Sequence, residues 1–269
     1  MDRFRKTFEA CAKQNRAALA IFVACGDGGM DFTKSLVARI CSAGADVVEL
    51  GVPFSDPMAD GATIQNADVR ALADGADILK IIETARQLRA EGVDKLFVLF
   101  SYYNPIFKVG VEKIARLSAE AGIDSWLVVD APLEESGEIR RVIGKYGVKF
   151  TPLAAPTTSE ERIRRISKSG GGFLYYVTVA GVTGARNSLP EGVVARLARV
   201  KEASVLPVAA GFGISNPEMA HAAALNADMV VVGSRFIDMV YAKLSEGGRE
   251  AALSEAESFV KAIRGGLAR

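Results

Sequence analysis

The sequence predicts an α/β fold, a single (βα)8 TIM barrel over residues 1–269 with an extra N-terminal helix and an inserted helix after the second strand. Three observations carry this reading. Eight short runs of strand length alternate with segments whose apolar residues recur at helical spacing. No composition break or low-complexity linker divides the chain, so the units belong to one body. The turn after the first run, Gly26-Asp27-Gly28-Gly29, lacks the Gly-x-Gly-x-x-Gly spacing that an open nucleotide-binding sheet more often shows there. An open doubly wound sheet is the alternative, and the count of eight favours closure.

In chain order, Phe4, Phe8 and Cys11 recur at helical spacing among Asp2, Arg3, Arg5, Lys6 and Glu9 and give the leading helix. Residues 18–25 are continuously apolar and end in glycines, as a strand buried on both faces does. Phe32, Leu36, Val37 and Ile40 mark one face of a helix that stops near Gly44, and the second strand follows, ending at Glu49. The longest interval comes next. It holds a loop over 51–61, a helical segment over 63–72, and a second helix carrying Ile78, Ile81, Ile82, Ala85 and Leu88.

Residues 95–100 form the third strand, closed by Ser-Tyr-Tyr-Asn-Pro, and Val111, Ile114 and Leu117 mark its helix. Residues 125–130 are the fourth, followed by Pro132 and a helix with Ile139, Val142, Ile143 and Tyr146 on one face. Residues 148–153 are the fifth; Thr158 and Glu161 then have capping-box spacing before a helix with Ile163 and Ile166. Residues 172–178 are the sixth and run into the glycine-rich loop at 180–184. A helix with Val193, Val194, Leu197 and Val200 leads to the seventh strand, 206–210, which ends in Gly211-Phe212-Gly213-Ile214-Ser215 before a helix from Pro217. The eighth, 228–232, ends in Gly233-Ser234, and the last helix carries Phe259, Val260 and Ile263.

Composition narrows the function. With 49% hydrophobic and 24% charged residues and a net charge of +1, the chain reads as an ordinary globular protein without the basic footprint of a nucleic-acid binder. Cys11, Cys25 and Cys41 fit neither a zinc site nor a redox dithiol, and reduced thiols of a cytoplasmic protein are expected. The N-terminus lacks the uninterrupted apolar core of a signal peptide, and no run approaches a membrane span. The only histidine, His221, lies on the polar part of a helix, so a metal site or a Ser/His nucleophile is not expected and carboxylates are left for proton transfer.

Glu49 is the first such carboxylate. It sits at the C-terminal lip of an apolar strand, where a charge costs desolvation energy unless something uses it. The loop that follows offers Asp56 and Asp60, the latter between Ala59 and Gly61, where the backbone can approach a ligand. Two readings stay open at this point: Glu49 and Asp60 converge on a pocket, or Glu49 is a satisfied ion-pair acid and Asp60 a turn residue or helix cap.

The loops after strands seven and eight of such barrels commonly receive a phosphate. Gly213, Gly233 and Ser234 fall there, and Gly184 after strand six could complete the cradle, although glycines also serve as plain turn residues. Strand ends further supply Phe22, Phe100, Leu127, Val129, Leu153, Tyr175 and Phe212, either ordinary barrel core or the wall of a flat apolar slot.

Residues 49–65 (Glu-Leu-Gly-Val-Pro-Phe-Ser-Asp-Pro-Met-Ala-Asp-Gly-Ala-Thr-Ile-Gln) resemble the signature of the tryptophan synthase α subunit family. The likeness recurs in Tyr102-Tyr103-Asn104-Pro105, Gly181-Val182-Thr183-Gly184 and Gly211-Phe212-Gly213-Ile214-Ser215, and so covers essentially the whole chain. It implies a barrel that cleaves indole-3-glycerol phosphate into indole and D-glyceraldehyde 3-phosphate and passes the indole to a β subunit in an α2β2 complex. No cofactor is expected in this chain, because pyridoxal phosphate belongs to the partner. By the same resemblance Glu49 is the general acid/base and Asp60 holds the indole N–H. Phe22, Phe100, Leu127, Tyr175, Thr183 and Phe212 contact the substrate, and Gly184, Gly213, Gly233 and Ser234 its phosphate. A free-standing lyase and a weakly active barrel that mainly activates the β subunit are the alternatives.

The chain departs from the family pattern in five places. Gly28 and Ala62 stand where proline is expected, Thr178 and Val179 where serine and arginine are expected, and Arg235 where a small residue is expected. Both acids are retained, so the departures bear on loop stiffness and on communication with a partner.

Overall fold

A computed structural model describes residues 2–177, 192–211 and 213–269. Among these residues nine strand segments follow one another in chain order: β1 (Ala18–Ala24), β2 (Val47–Gly51), β3 (Leu96–Ser101), β4 (Ser125–Val128), β5 (Lys149–Phe150), β6 (Leu153–Ala154), β7 (Leu174–Val177), β8 (Val208–Gly211) and β9 (Met229–Val232). Every pairing between these strands is parallel, in the order β5-β4-β3-β2-β1-β9-β8-β7-β6.

The two outer segments, β5 and β6, are separated only by Thr151 and Pro152. The Thr151 N–H donates to the Trp126 carbonyl at 2.7 Å, and the Tyr175 N–H donates to the Pro152 carbonyl at 2.9 Å. These are two halves of the expected fifth strand, pairing left and right, so the sheet returns on itself and the ring has eight strand positions. Pro152 lacks the N–H a continuous ladder needs, which is why the strand divides here.

The helices are α1 (Arg3–Lys13), α2 (Met30–Ala43), α3 (Ala62–Ala73), α4 (Ile78–Ala90), α5 (Tyr103–Val109), α6 (Val111–Glu120), α7 (Gly137–Lys145), α8 (Glu160–Ser169), α9 (Val193–Ala203), α10 (Pro217–Ala224) and α11 (Ser234–Gly265). α11 is two helices joined across Gly248, whose φ of 75° breaks the helical path. α1 is the expected leading helix and α3 the expected insertion.

Three apolar clusters hold the barrel together, inside the ring, around it and at one lip. At the N-terminal end, Phe4 and Cys11 of α1 join Ala18, Val47, Leu96 and Met229 inside the ring, and α1 closes that end. Asp46 there accepts both guanidinium arms of Arg16, at 2.6 and 2.9 Å, together with the Leu19 N–H at 2.9 Å. Outward-facing strand residues such as Leu19, Ile21, Val48 and Leu50 pack beneath the helices. At the C-terminal lip, Phe22 and Ala24 meet Ala67 of α3 and Ile237 of α11.

Several local expectations are corrected. α5 falls where only a strand-closing turn is read from the sequence. The cap of α8 is Ser159, whose Oγ accepts from the Arg162 N–H at 3.3 Å, while Thr158 Oγ1 accepts from the Ala155 N–H and closes the preceding turn. Val194 is turned outward and exposed. A helix begins at Ser234 directly after β9, earlier than the apolar pattern around Phe259 indicates. Residue 178 and the loop after it lie outside the described residues.

Candidate active site

Glu49 shares the inward face of β2 with Val47, because side chains two apart on a strand point the same way. Its register neighbours are Phe22 on β1 and Val98 on β3. The side chain is completely buried, and neither carboxyl oxygen has a hydrogen-bond partner among the described residues. Burial alone pushes its pKa up to about 8, so the neutral acid predominates at pH 7. The ion-pair reading of Glu49 is thereby excluded within the described residues.

Asp60 is held differently. The Tyr102 hydroxyl donates to Asp60 Oδ2 at 2.7 Å and accepts the Ala59 N–H at 2.9 Å, and Gln65 Nε2 donates to the Asp60 carbonyl at 2.8 Å. Partial burial raises the Asp60 pKa, and the Tyr102 hydrogen bond works against that rise. Asp60 does not cap α3: the residue at that cap is Gly61, with no side-chain bond. Asp56 is exposed and bonded to its neighbour Ser55.

Three of the strand-end aromatics lie against one another. The Phe22 and Phe100 rings meet edge to face at 5.0 Å, and Phe100 and Tyr175 at 6.3 Å. Tyr175 is almost buried; burial raises its pKa well above the ordinary tyrosine value, and the nearby charges of Glu49 and Asp60 add to the rise. Tyr175 thus lies within electrostatic reach of both Glu49 and Asp60. Two glycines make room for the wall: a Cβ at Gly51 would lie 2.5 Å from the Phe22 ring, and one at Gly211 2.8 Å from the Tyr175 hydroxyl. Leu127, register partner of Phe100, is completely buried in the barrel interior.

Gly233 and Ser234 sit where β9 turns into α11, at a helix N-terminus with no side-chain cap. The first N–H groups of a helix lack intrahelical acceptors and carry the positive end of its dipole, so this lip suits an anion. Gly213 follows β8 with a φ of 65°, which favours glycine, and no described residue lies within 4 Å of where a Cβ would sit. Thr183, Gly184 and Phe212 lie outside the described residues. His221 is exposed on α10, and no His/Cys/Asp/Glu cluster able to hold a metal occurs among the described residues. The three cysteines are buried and unpaired.

Two residues escaped the sequence reading of the site. Tyr102 appears there only within a motif, although a tyrosine at a strand end beside an acid-rich loop is a usable signal. Asp68 is 5% exposed on α3, and its carboxyl is pushed up to about 7, chiefly by burial with the charges of Asp60 and Asp27 adding and the Phe54 N–H opposing. Its signal is positional: Ile64, Ala67, Asp68 and Ala71 follow one helical stripe, and an acid in an apolar stripe is anomalous.

Comparison with known proteins agrees with this architecture. A family model described as tryptophan synthase alpha chain matches residues 8–264. The tryptophan synthase alpha chain of Geobacter sulfurreducens is 42% identical over 265 residues, covering 98% of each chain, and that of Geotalea daltonii is 45% identical over 237 residues, 88% of this chain and 89% of its own. The crystal structure of tryptophan synthase subunit alpha from Legionella pneumophila superposes with a TM-score of 0.90 at 35% identity, covering 99% of this chain and 98% of that one. A Mycobacterium tuberculosis tryptophan synthase structure superposes with a TM-score of 0.89 at 28% identity, covering 100% and 99%.

Proposed function

The chain belongs to the tryptophan synthase alpha chain family, and from that premise we propose which of its residues carry the reaction. It is an indole-3-glycerol-phosphate lyase of tryptophan biosynthesis, releasing indole and D-glyceraldehyde 3-phosphate. The family needs no cofactor for this cleavage; pyridoxal phosphate sits in the β subunit.

Cleavage requires a proton at indole C3, a stabilised positive charge on the ring nitrogen, and removal of the side-chain hydroxyl proton as the carbon–carbon bond breaks. Glu49, neutral at pH 7, donates the proton to C3. The carboxylate it becomes accepts the hydroxyl proton as the aldehyde forms, which restores the acid. Asp60 accepts a hydrogen bond from the ring N–H and offsets the charge that develops there. Phe22, Phe100 and Tyr175 flank the indole above Leu127, with Phe212 and Thr183 as further contacts. Gly213, Gly233 and Ser234, with Gly184, receive the phosphate.

The observation that carries this reading is the buried Glu49 carboxyl, which has no hydrogen-bond partner among the described residues. A barrel that only activated a partner would have no use for a group that costs stability on burial. We assign residues 1–269 to one barrel domain acting in the cytoplasm; no helix among the described residues is long and apolar enough to cross a membrane.

The family usually works with a β subunit, and we assign this chain to an α2β2 complex. Met58 in the acid-bearing loop and Phe107 on α5, 86% and 64% exposed, support a docking face on the side where the site opens. The test is cleavage of indole-3-glycerol phosphate by the purified chain, with and without a β subunit. No cleavage in either case would overturn the residue assignments above.

A further inference from the structure

The inserted helix α3 is anchored beyond what a connecting segment needs, and its anchors run to the two elements beside the phosphate-receiving lip. Arg70 Nε and Nη2 each donate to one oxygen of Asp27, both at 2.7 Å, and Asp27 lies in the turn after β1. The same guanidinium lies 3.6 Å over the centre of the Tyr241 ring. Thr63 Oγ1 donates to Asp238 Oδ2 at 3.1 Å. Asp238 and Tyr241 belong to the first two turns of α11, the helix whose N-terminus is the Gly233-Ser234 lip. At its own N-terminal end α3 grips Asp60 through Gln65 and begins two residues after it.

An exposed ion pair contributes little to stability, but this pair is bidentate, stacked and largely shielded, with side-chain exposures of 27% for Arg70 and 11% for Asp27. Such a fork fixes direction as well as distance. We propose that Arg70 is a positioning residue for the lyase reaction: by clamping α3 to Asp27 and Tyr241 it sets the Asp60 carboxylate relative to the phosphate-receiving N-terminus of α11. The substrate spans these two points, phosphate at one end and ring nitrogen at the other. Loosening the clamp therefore misplaces Asp60 against an already anchored ligand. The phosphate lip and the aromatic wall still bind the ground state, so turnover suffers more than binding.

The inference rests on the role given to Asp60, and the test separates the two. Full-length Arg70→Lys, Tyr241→Leu and Asp60→Asn are assayed for steady-state cleavage of indole-3-glycerol phosphate. Lysine keeps the charge but loses the fork and the planar stack. Arg70→Lys is expected to lower kcat about tenfold with KM within about threefold. The double variant Arg70→Lys/Tyr241→Leu falls no more than about twofold further, because both changes act on one clamp. Tyr241 is 39% exposed, so Tyr241→Leu leaves the fold intact and decides the question if Arg70→Lys does not fold; its kcat drops about threefold. Wild-type kcat in both single variants, with Asp60→Asn impaired, overturns the role of Arg70. Wild-type kcat in Asp60→Asn overturns the assignment beneath it.

Discussion

The Tyr102 hydroxyl reaches Asp60 across a sequence separation of 42, bonding Oδ2 at 2.7 Å while its ring packs 5.2 Å from that of Phe54. A residue at the end of β3 thus holds a carboxylate that belongs to the loop after β2. Tyr102→Phe removes this bond and with it the influence that keeps the Asp60 pKa from rising further. Losing a hydrogen bond to a charged group is worth ~1.5–3 kcal/mol, so kcat is expected to fall roughly tenfold or more. The acidic limb of the pH–rate profile should also move to higher pH, since Asp60 must be ionised to face the ring nitrogen. An unmoved limb in Tyr102→Phe separates the hydroxyl from the function of Asp60.

Glu49→Gln preserves shape but cannot shuttle a proton. Its kcat is expected to drop by ~10²–10⁴-fold with substrate still bound. Single-turnover cleavage measures this directly, and near-normal turnover contradicts the acid/base role.

The same substitution has an opposite signature in stability. The folded pKa of Glu49, about 8, lies above its unfolded value of about 4.5. The unfolded chain therefore releases this proton first as pH rises, and the native state loses stability through the window between those two values. The slope is about 1.4 kcal/mol per pH unit at most. Glu49→Gln lacks this loss, so its denaturation midpoint should exceed that of the wild type more at pH 8 than at pH 5. Equal differences at the two pH values would show that Glu49 ionises freely in the fold.

At the proposed phosphate lip, Gly233→Val places a branched side chain over the leading N–H groups of α11. An increase in KM of about tenfold or more for the phosphorylated substrate is expected, with kcat less affected. Gly213→Val, strained at φ 65°, should act in the same direction. Unchanged KM in folded variants removes phosphate from this lip.

Gly28 illustrates a departure the backbone has absorbed. Its φ is +84°, which proline cannot adopt, and a Cβ there would lie 2.6 Å from Leu244 Cδ2. Restoring the proline expected of the family, Gly28→Pro, should therefore destabilise this chain by about 3 kcal/mol or more in urea denaturation. A neutral or stabilising effect would mean that the turn after β1 adopts another path.

Titration with a β subunit addresses loop closure. Gly28, Ala62 and Val179 stand where stiffer or charged residues are expected, and each 1.4 kcal/mol of bias toward an open loop lowers the competent fraction about tenfold. Saturating β subunit is expected to raise kcat at least about tenfold. A change below twofold favours a free-standing lyase.

Much of the candidate site was legible residue by residue. Glu49 stood out because an acid in an apolar strand is anomalous whatever surrounds it, and the lip glycines because they follow strands seven and eight. Asp68 was equally local yet was passed over, since an acid in a helical stripe reads as solvated until burial is known. The cap of α8 fell one residue from its expected place because serine and threonine at adjacent positions both suit a helix start, and only the path of the preceding turn selects Ser159.

The sequence by itself determined the alternation of strands and helices, the placing of Glu49 at a strand lip and the family. Periodicity, composition and motif spacing are properties of neighbouring residues and survive without a fold. The tertiary structure alone decided that the ring closes through the two halves of a strand broken at Pro152, that Glu49 has no partner among the described residues while Asp60 has Tyr102, and that Arg70 ties α3 to Asp27 and Tyr241. Each of these depends on which distant segments exclude water from one another. Desolvation and hydrogen-bond geometry exist only once those segments are packed.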